Sequence, residues 1–204
     1  QMVVGEEITG LQYEVKKELL HTTFDGFDNT IDGEVNPESW IVPDANRKVG
    51  QNNVVGWTDE VQGNVAQLIT KTKGNIVLYH QPALMDTDQV LLEAKVNFQD
   101  SNLLRRLFIV RNKENKLVNT LIAEGNSIKI DKIQTPLLEY KLNQWYHIQI
   151  LLDPISGKYE VYIDGDHKGS YEMVTGGEIT EVRFAQVGAE NQEGSILLDD
   201  IKIM

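Results

Sequence analysis

The sequence predicts an all-β fold, an antiparallel sandwich or barrel, from three observations. Apolar residues recur at every second position in most segments from Leu20 onward. Short turn sequences interrupt these segments about every ten residues, and no stretch after residue 22 keeps a helical apolar stripe. The 204 residues, 41% of them hydrophobic and 25% charged, correspond to one ordinary globular domain.

The first 22 residues differ from the rest of the chain. The segment Glu14–Leu20 is charged and mildly helical, and nothing before it alternates. We therefore interpret residues 1–22 as an arm or linker and residues 23–204 as the sandwich domain. The chain begins with Gln1 instead of Met and shows no signal-peptide pattern, which indicates a processed or excised piece of a longer protein.

The alternation is clearest between residues 91 and 98. Leu92, Ala94, Val96 and Phe98 point to one face, which we expect to pack on a core. Leu91, Glu93, Lys95 and Asn97 point to the other face. The same pattern predicts further strands at Val65–Thr70, Ile76–His80, Arg106–Arg111, Leu117–Ala123, Ser127–Ile133, Tyr146–Leu152, Tyr159–Ile163, His167–Tyr171, Glu181–Val187 and Ser195–Ile203.

Turn sequences separate the predicted strands. Asp164-Gly165 favours a tight hairpin, since both central positions of a type I′ turn take positive φ angles. Other turn signals are Thr72-Lys73-Gly74-Asn75, Glu124-Gly125-Asn126, Asp153-Pro154-Ile155-Ser156-Gly157 and Glu193-Gly194.

The charge balance excludes several classes of partner. The chain has 31 acidic and 19 basic residues, a net charge of −12. Nucleic-acid binding needs clustered Lys and Arg, so we expect no nucleic-acid partner and no attraction to an anionic membrane. The absence of cysteine rules out disulfides and thiolate metal sites, and the four histidines argue against an all-imidazole site. No apolar run is long enough to insert in a bilayer.

Three segments together resemble a known group of domains. Trp145-Tyr146-His147-Ile148 followed by residues 157–165 is similar to a hairpin of concanavalin A-like and laminin G-like sandwiches. Phe24-Asp25-Gly26-Phe27-Asp28, leading through Gly33 and Pro37 to Trp40, resembles their opening, and residues 197–203 resemble their closing strand. The resemblance covers residues 23–204 and implies a jelly-roll sandwich of the carbohydrate-binding-module type appended to bacterial polysaccharide lyases and glycoside hydrolases.

The resemblance implies a non-catalytic carbohydrate-binding module that targets a polysaccharide. It further implies a secreted, extracellular or cell-surface location, as part of a larger bacterial protein whose other domains are its partners. A laminin G-like adhesion domain and a hydrolase or lyase with an unrecognised site are the alternatives.

No motif in the sequence supports catalysis. Glycosidases need two carboxylates flanking the scissile bond, and no Glu-x-Asp-x-Glu run supplies them. His147-Ile148-Gln149 and Arg105-Arg106 do not follow the lyase arrangement. We therefore expect no catalytic residue in this chain.

Four aspartates near the two ends of the domain predict a structural calcium site. Asp25 and Asp28 open the first strand and Asp199 and Asp200 lie in the last, and terminal strands of a sandwich are often neighbours. Calcium takes six to eight oxygen ligands, which such a cluster would supply. Alternation places Asp199 on the apolar face with Leu197, Ile201 and Ile203. The alternative is a buried Asp that accepts backbone N–H bonds.

Aromatic side chains predict a sugar platform, since saccharides stack their C–H faces on aromatic rings. Trp57, in a Gly-Trp-Thr-Asp loop segment, is the best candidate, and Tyr79 and His80 follow at a strand end. A loop-anchoring role for Trp57 is the alternative. Trp40 and Trp145 are expected in the core. Tyr159 and Tyr162 face opposite sides of one strand, so one of the two should be exposed.

Three arginines, Arg105, Arg106 and Arg111, are a candidate site for acidic sugars. Guanidinium groups bind carboxylate and sulfate through paired hydrogen bonds, so these residues would hold an acidic polysaccharide on a sheet face. The alternative is an ordinary edge strand with one Arg in solvent and one paired across strands with Glu93.

Overall fold

A computed structural model of the chain describes residues 20–22, 40–42, 52–82 and 89–204, and these contain β-strands and no helix. The predicted all-β class is therefore confirmed. In these ranges no helix is long and apolar enough to cross a membrane. The strands are β1 (Leu20–Thr22), β2 (Asn53–Asp59), β3 (Gly63–Thr70), β4 (Gly74–His80), β5 (Val90–Phe98), β6 (Leu104–Asn112), β7 (Leu121–Glu124), β8 (Ser127–Ile130), β9 (Leu138–Glu139), β10 (Trp145–Asp153), β11 (Lys158–Ile163), β12 (Asp166–Glu172), β13 (Ile179–Gly188) and β14 (Gly194–Ile203).

The strands form two antiparallel sheets. The eight-stranded sheet has the order β12-β11-β10-β5-β14-β3-β2, with β1 also paired to β14. The six-stranded sheet has the order β4-β13-β6-β7-β8-β9. Strand β1 runs along the end of β14, with Leu20 opposite Ile203. Residues 20–22, at the end of the predicted arm and the start of the period-two pattern, therefore pair with the sheet.

The core lies between the inner faces of the two sheets, as alternation predicted. Val90, Leu92, Ala94, Val96 and Phe98 of β5 share one buried cluster with Tyr146, Ile148, Ile150 and Leu152 of β10 and with the inner side chains of β6 and β13. Each Val, Leu, Ile or Phe side chain in this cluster contributes about 1.5–3 kcal/mol through its removal from water. This burial fixes the opposite set of side chains on the outer faces.

Two predicted strands are shorter than expected, and strands β1, β2 and β9 were not predicted. Strand β7 begins at Leu121, while Leu117 makes only an isolated bridge to Arg111. Strand β8 ends at Ile130, just before Lys132 takes a φ of 68°. Strand β2 was not predicted, since Gly56 interrupts its alternation.

A β-bulge in β14 reverses the predicted placement of Asp199. The register with β5 shifts between Asp199 and Lys202, and Asp200 has a φ of 48°. Asp199 therefore faces outward opposite Lys95, whereas Ile201 lies in the core. The prediction that Asp199 shares the apolar face of Ile201 was wrong, because one extra residue in a strand shifts every later side chain to the other face.

The Asp164-Gly165 turn has the predicted geometry. The φ angles are 52° at Asp164 and 82° at Gly165, as a type I′ hairpin requires. The Asp164 carboxylate also accepts a hydrogen bond from the backbone N–H of His147 at 2.8 Å. The turn therefore ties the β11–β12 hairpin to β10.

Arg105 lies inside the sandwich and not on a sheet face, which corrects its placement as a ligand-binding residue. Its guanidinium has no exposed surface and lies 2.6 Å from the Asp100 carboxylate. It also donates to Gln186 Oε1 at 3.0 Å, to the carbonyls of Asp100 and Leu103 at 2.9 and 3.1 Å, and to the carbonyl of Ser195 at 3.4 Å. These partners come from both sheets, so Arg105 joins the sheets at one end of the core.

Replacing Arg105 should therefore destabilise the fold strongly. Arg105→Met leaves the Asp100 carboxylate and several carbonyls without their donor, so we expect a loss of about 3–5 kcal/mol in the free energy of unfolding. The neighbouring Arg106→Met, at an exposed position, is the matched control and should change it by less than about 0.5 kcal/mol. Urea unfolding of both variants measures the difference, and equal stabilities would contradict the structural role of Arg105.

Candidate functional site

The outer face of the eight-stranded sheet carries a polar surface. The outward positions of β3, β5, β10 and β14 alternate with core side chains, so they share this face. Several of these polar side chains are nonetheless buried, which is unusual for groups that point away from a core. They are Glu93, Asn97, Gln149 and Asp199.

The tip of the β2–β3 hairpin leans over this outer face. Trp145 Nε1 on β10 donates to Asp59 Oδ1 on β2 at 3.1 Å, although three strands lie between β10 and β2 in the sheet. Lys95 Nζ on β5 likewise donates to Gln62 Oε1 in the hairpin turn at 2.9 Å. In a flat sheet, β10 and β2 would lie four strand spacings apart, which is about 19 Å. These contacts therefore require the hairpin to cross the face, above Asp199.

A groove of about 420 Å³ lies on the same face, beside the hairpin. Trp57 of β2 stands on one side of it, with 49% of its surface exposed. The structure places Trp57 in a strand rather than in the predicted loop, and the strand fixes the direction of the indole. The groove is lined by Trp57, Gln67, Ile69, Thr70, Lys71, Gln99, Asp100, Glu193, Gly194 and Ser195.

The groove lining combines an aromatic surface with polar groups held in place. Gln67 Nε2 donates to Ser195 Oγ at 3.2 Å, and Gln99 Nε2 donates to Asn97 Oδ1 at 2.8 Å. Each of these amides keeps its carbonyl oxygen as a further acceptor. An exposed indole beside fixed amides, hydroxyls and carboxylates suits a saccharide, which offers both C–H faces and hydroxyl groups.

A second polar group on this face is centred on Glu93. His147 Nε2 lies 3.2 Å from Glu93 Oε2, and Gln149 Nε2 donates to Glu93 Oε1 at 3.0 Å. Burial raises the pKa of the Glu93 carboxyl, but these hydrogen bonds and the charges of His147 and Lys202 outweigh burial and hold the pKa below its ordinary value. Glu93 is therefore ionised at neutral pH and orients the half-exposed imidazole.

The sequence pattern did not predict this cluster. Glu93 and His147 are 54 residues apart, and only the pairing of β5 with β10 brings them together. His147 and Gln149 alternate on one strand, which is the available sequence signal. Glu93 was considered only as a cross-strand partner for arginine, and the arginines lie on the other sheet.

The other predicted aromatic residues do not join the groove. Tyr79 is half-buried on the outer face of the six-stranded sheet, with the Arg183 guanidinium carbon 5.6 Å from the centre of its ring. The ring of His80 lies 5.5 Å from that of Trp40, which is in the core as expected. Trp145, also expected in the core, is instead half-buried on the outer face of the eight-stranded sheet.

Neither Tyr159 nor Tyr162 is exposed, contrary to the prediction. Tyr159 lies in the core, and Tyr162 is 6% exposed in a small apolar cluster that includes Leu91 and Leu151. Tyr162 donates its hydroxyl to Glu160 Oε2 at 2.5 Å. Burial, together with this bond to a carboxylate, raises the pKa of Tyr162 to about 12.

Arg106 and Arg111 lie on the outer face of the six-stranded sheet, away from the groove. Arg106 is exposed, and Arg111 is directly opposite Glu181 of β13. A further arginine that the sequence analysis did not select, Arg183, is hydrogen-bonded to the same Glu181. Strand pairing brings these groups together from distant segments.

The calcium prediction concerns two aspartates inside and two outside the described residues. Asp25 and Asp28 lie outside them. Asp200 Oδ2 is 2.6 Å from Lys95 Nζ, so an ammonium group already supplies positive charge beside it. In the described ranges no three His, Asp or Glu side chains are grouped to hold a metal ion. The calcium site stays a prediction.

Comparison with known proteins identifies the architecture. A sialidase superposes with a TM-score of 0.70 at 10% identity, over 92% of this chain and 18% of that protein. A Bacteroides ovatus mixed-linkage glucan GH16 protein gives 0.62 at 10% identity, over 91% of this chain and 100% of that one. A Corynebacterium alginate lyase superposes with a TM-score of 0.57 at 11% identity, over 78% of this chain and 82% of that protein.

The fold is a concanavalin A-like jelly roll. These identities are too low to show more than the fold, which is shared with a sialidase, an alginate lyase and a GH16 protein. No family model matches the sequence, and no curated protein matches it. The chain spans about a fifth of the sialidase.

The Glu93 cluster should give the folded state a specific acid sensitivity. The pKa of Glu93 is lowered in the folded state, so its ionised form stabilises the fold above the unfolded value of 4.5. This contribution is lost as the pH falls from about 4.5 through the lower folded pKa. Glu93→Gln removes the charge and replaces one of the two acceptor oxygens by an amide NH₂, which then faces either His147 Nε2 or Gln149 Nε2, so we expect a loss of about 1–3 kcal/mol at pH 7.

The stability difference between wild type and Glu93→Gln should shrink below about pH 4.5. Urea unfolding from pH 7 to 3 measures it. Glu172→Gln, whose side chain is 77% exposed on β12, is the control and should track the wild type throughout. A difference for Glu93→Gln that is constant with pH would contradict the cluster.

Proposed function

We propose that this chain is a non-catalytic module that binds a polysaccharide in the groove beside Trp57. The observation that carries the proposal is the half-exposed indole of Trp57 on the rim of a groove with fixed polar walls. Sugar rings stack on the indole while Gln67, Gln99 and Ser195 exchange hydrogen bonds with the hydroxyls.

Two further points support this proposal. The jelly-roll fold is shared with an alginate lyase, a sialidase and a mixed-linkage glucan GH16 protein in complex with its product, which supports a saccharide ligand. Tryptophan offers a large apolar ring surface with a polar N–H at its edge, and at Trp57 this surface borders a groove instead of standing alone on the surface. Neither point names the sugar.

The proposed role is to deliver attached domains to their substrate. In a secreted or cell-surface bacterial protein, a bound module raises the local concentration of its neighbouring domains on the polymer. This role requires no chemistry from the chain itself. Structural calcium at Asp25, Asp28, Asp199 and Asp200 is part of the same proposal, and chelation should then lower the melting temperature of the module.

Trp57→Ala should weaken binding to the polysaccharide at least about tenfold, since the stacking surface is removed. Affinity gel electrophoresis with a panel of neutral and acidic polysaccharides, with and without chelator, measures the effect. Ile155→Ala is the control, because Ile155 is 77% exposed in the β10–β11 turn, outside the groove. It should bind like the wild type.

The same panel tests the alternatives. New reducing ends or unsaturated products would overturn the non-catalytic role. Equal affinity of Trp57→Ala and wild type for the neutral polysaccharides that the wild type binds would overturn the site. Failure of the folded wild-type protein to bind any polysaccharide, together with specific capture of one purified protein partner, would favour an adhesion domain.

A further inference from the structure

A separate cationic surface lies on the outer face of the six-stranded sheet. We define the arginine face as the outward positions of β4, β13 and β6, where Arg106, Arg111 and Arg183 project. Arg111 is opposite Glu181, and Arg183 is opposite Tyr79 on β4. The core separates this face from the Trp57 groove, so the two surfaces are independent.

The three arginines are successive diagonal neighbours along the β6–β13 pair. Arg111 faces Glu181, and Arg183 is two positions further along β13. Arg106 faces Ala185, which is again two positions beyond Arg183. Diagonal neighbours across antiparallel strands are about 7–8 Å apart. The strand pair therefore presents a line of three guanidinium groups.

One carboxylate balances these three cations on the arginine face. Glu181 lies beneath two of them, hydrogen-bonded to Arg183 Nε and 3.8 Å from Arg111 Nε, and its side chain is only 8% exposed. The outward groups of these strands therefore sum to a charge of 3 − 1 = +2, in a chain of net charge −12. Beyond β6, Lys129 and Glu124 form their own pair at 2.7 Å, and the edge strand β9 carries Glu139.

The guanidinium groups of the arginine face are held in position, but they keep N–H donors for a ligand. Arg183 contacts Glu181 through Nε and lies over the Tyr79 ring. Arg111 Nη1 donates to the backbone carbonyl of Asn115 at 2.7 Å. Arg106 is exposed and has neither a hydrogen bond nor an ion pair to any part of the chain that the structure describes. Its whole guanidinium fork is open to a ligand.

Fold stability does not account for this arrangement. Exposed ion pairs contribute only about 0–1 kcal/mol to stability. One counter-charge for three arginines leaves a surplus of positive charge, which an anionic ligand would balance. Guanidinium groups bind carboxylate and sulfate through two parallel hydrogen bonds.

An apolar border beside the arginines favours a sugar polymer among anionic ligands. Ile41 pairs with Tyr79 and is 44% exposed, so the Tyr79 ring and the Ile41 side chain lie beside Arg183. Sugar C–H faces pack on such a surface. Double-stranded nucleic acid carries one charge per about 1.7 Å of its axis, whereas neighbouring guanidinium groups on this face are about 7–8 Å apart. An acidic polysaccharide carries about one charge per sugar, and this wider spacing matches the separated guanidinium groups better than the spacing of phosphates does.

We infer that the arginine face is a second binding surface, which takes an acidic polysaccharide through Arg106, Arg111 and Arg183. The inference goes beyond the proposed Trp57 groove and does not depend on it. Arg106→Gln should weaken binding to polygalacturonate about tenfold. The binding should also weaken as salt rises from 0.05 to about 0.5 M, because added ions screen exposed charges.

The experiment titrates the full chain with polygalacturonate, and with dextran as the neutral probe, in parallel for each variant. Lys158→Gln is the control, since Lys158 is 53% exposed on β11 in the other sheet. Lys158→Gln and Trp57→Ala should both keep wild-type affinity for polygalacturonate. Circular dichroism confirms that Arg106→Gln folds, which its exposed position favours.

Each other outcome overturns the inference. If Arg106→Gln binds polygalacturonate like the wild type, the arginine face is not the site. If Trp57→Ala alone loses that binding, the acidic polymer occupies the groove instead. If the wild type does not bind polygalacturonate, the second surface is rejected. Binding of the neutral polysaccharides still tests the Trp57 groove separately.

Discussion

The buried ion pair between Arg105 and Asp100 is the interaction on which the shape of the groove depends. Arg105 comes from the six-stranded sheet, while Asp100 follows β5 of the other sheet and lines the groove. The same carboxylate accepts the backbone N–H of Ser195 at 2.7 Å, so it fixes the start of β14 as a groove wall. Gly194 permits this approach, because a Cβ there would overlap the Asp100 carboxylate. Removing the pair would therefore loosen both the sandwich and the wall.

Gln186 extends this constraint across the core. It accepts the bond from Arg105 Nε and donates to Thr70 Oγ1 at 2.9 Å and to the carbonyl of Gly194 at 2.8 Å. Every member is buried or half-buried, and in a low-dielectric interior such a network is strong only when its groups are satisfied. The alternation of apolar side chains builds the two sheets, but this network sets which end of one sheet meets which end of the other.

Local patterns in the sequence predicted the faces of β5, β10 and β11, since the apolar alternation there is uninterrupted and burial enforces it. They did not predict the outward direction of Asp199, because a single bulge at Asp200 reverses the pattern. They also placed Arg105 on the surface, as its charge suggests. Its partners lie as far as 90 residues away and only the fold collects them. The Trp57 groove and the arginine face are likewise products of strand order, although Trp57, Arg106 and Arg111 were recognisable as residue types.

The sandwich also determines how the two proposed surfaces relate. Side chains alternate across each strand, so the outer face of one sheet points directly away from the outer face of the other. A ligand beside Trp57 therefore contacts none of Arg106, Arg111 and Arg183. The two sites share only the polar network between the sheets, in which Arg105 is the strand neighbour of Arg106 and Asp100 lines the groove. Because that network is buried and fixed by hydrogen bonds, the surfaces should bind independently, and one module can hold two stretches of polymer at once.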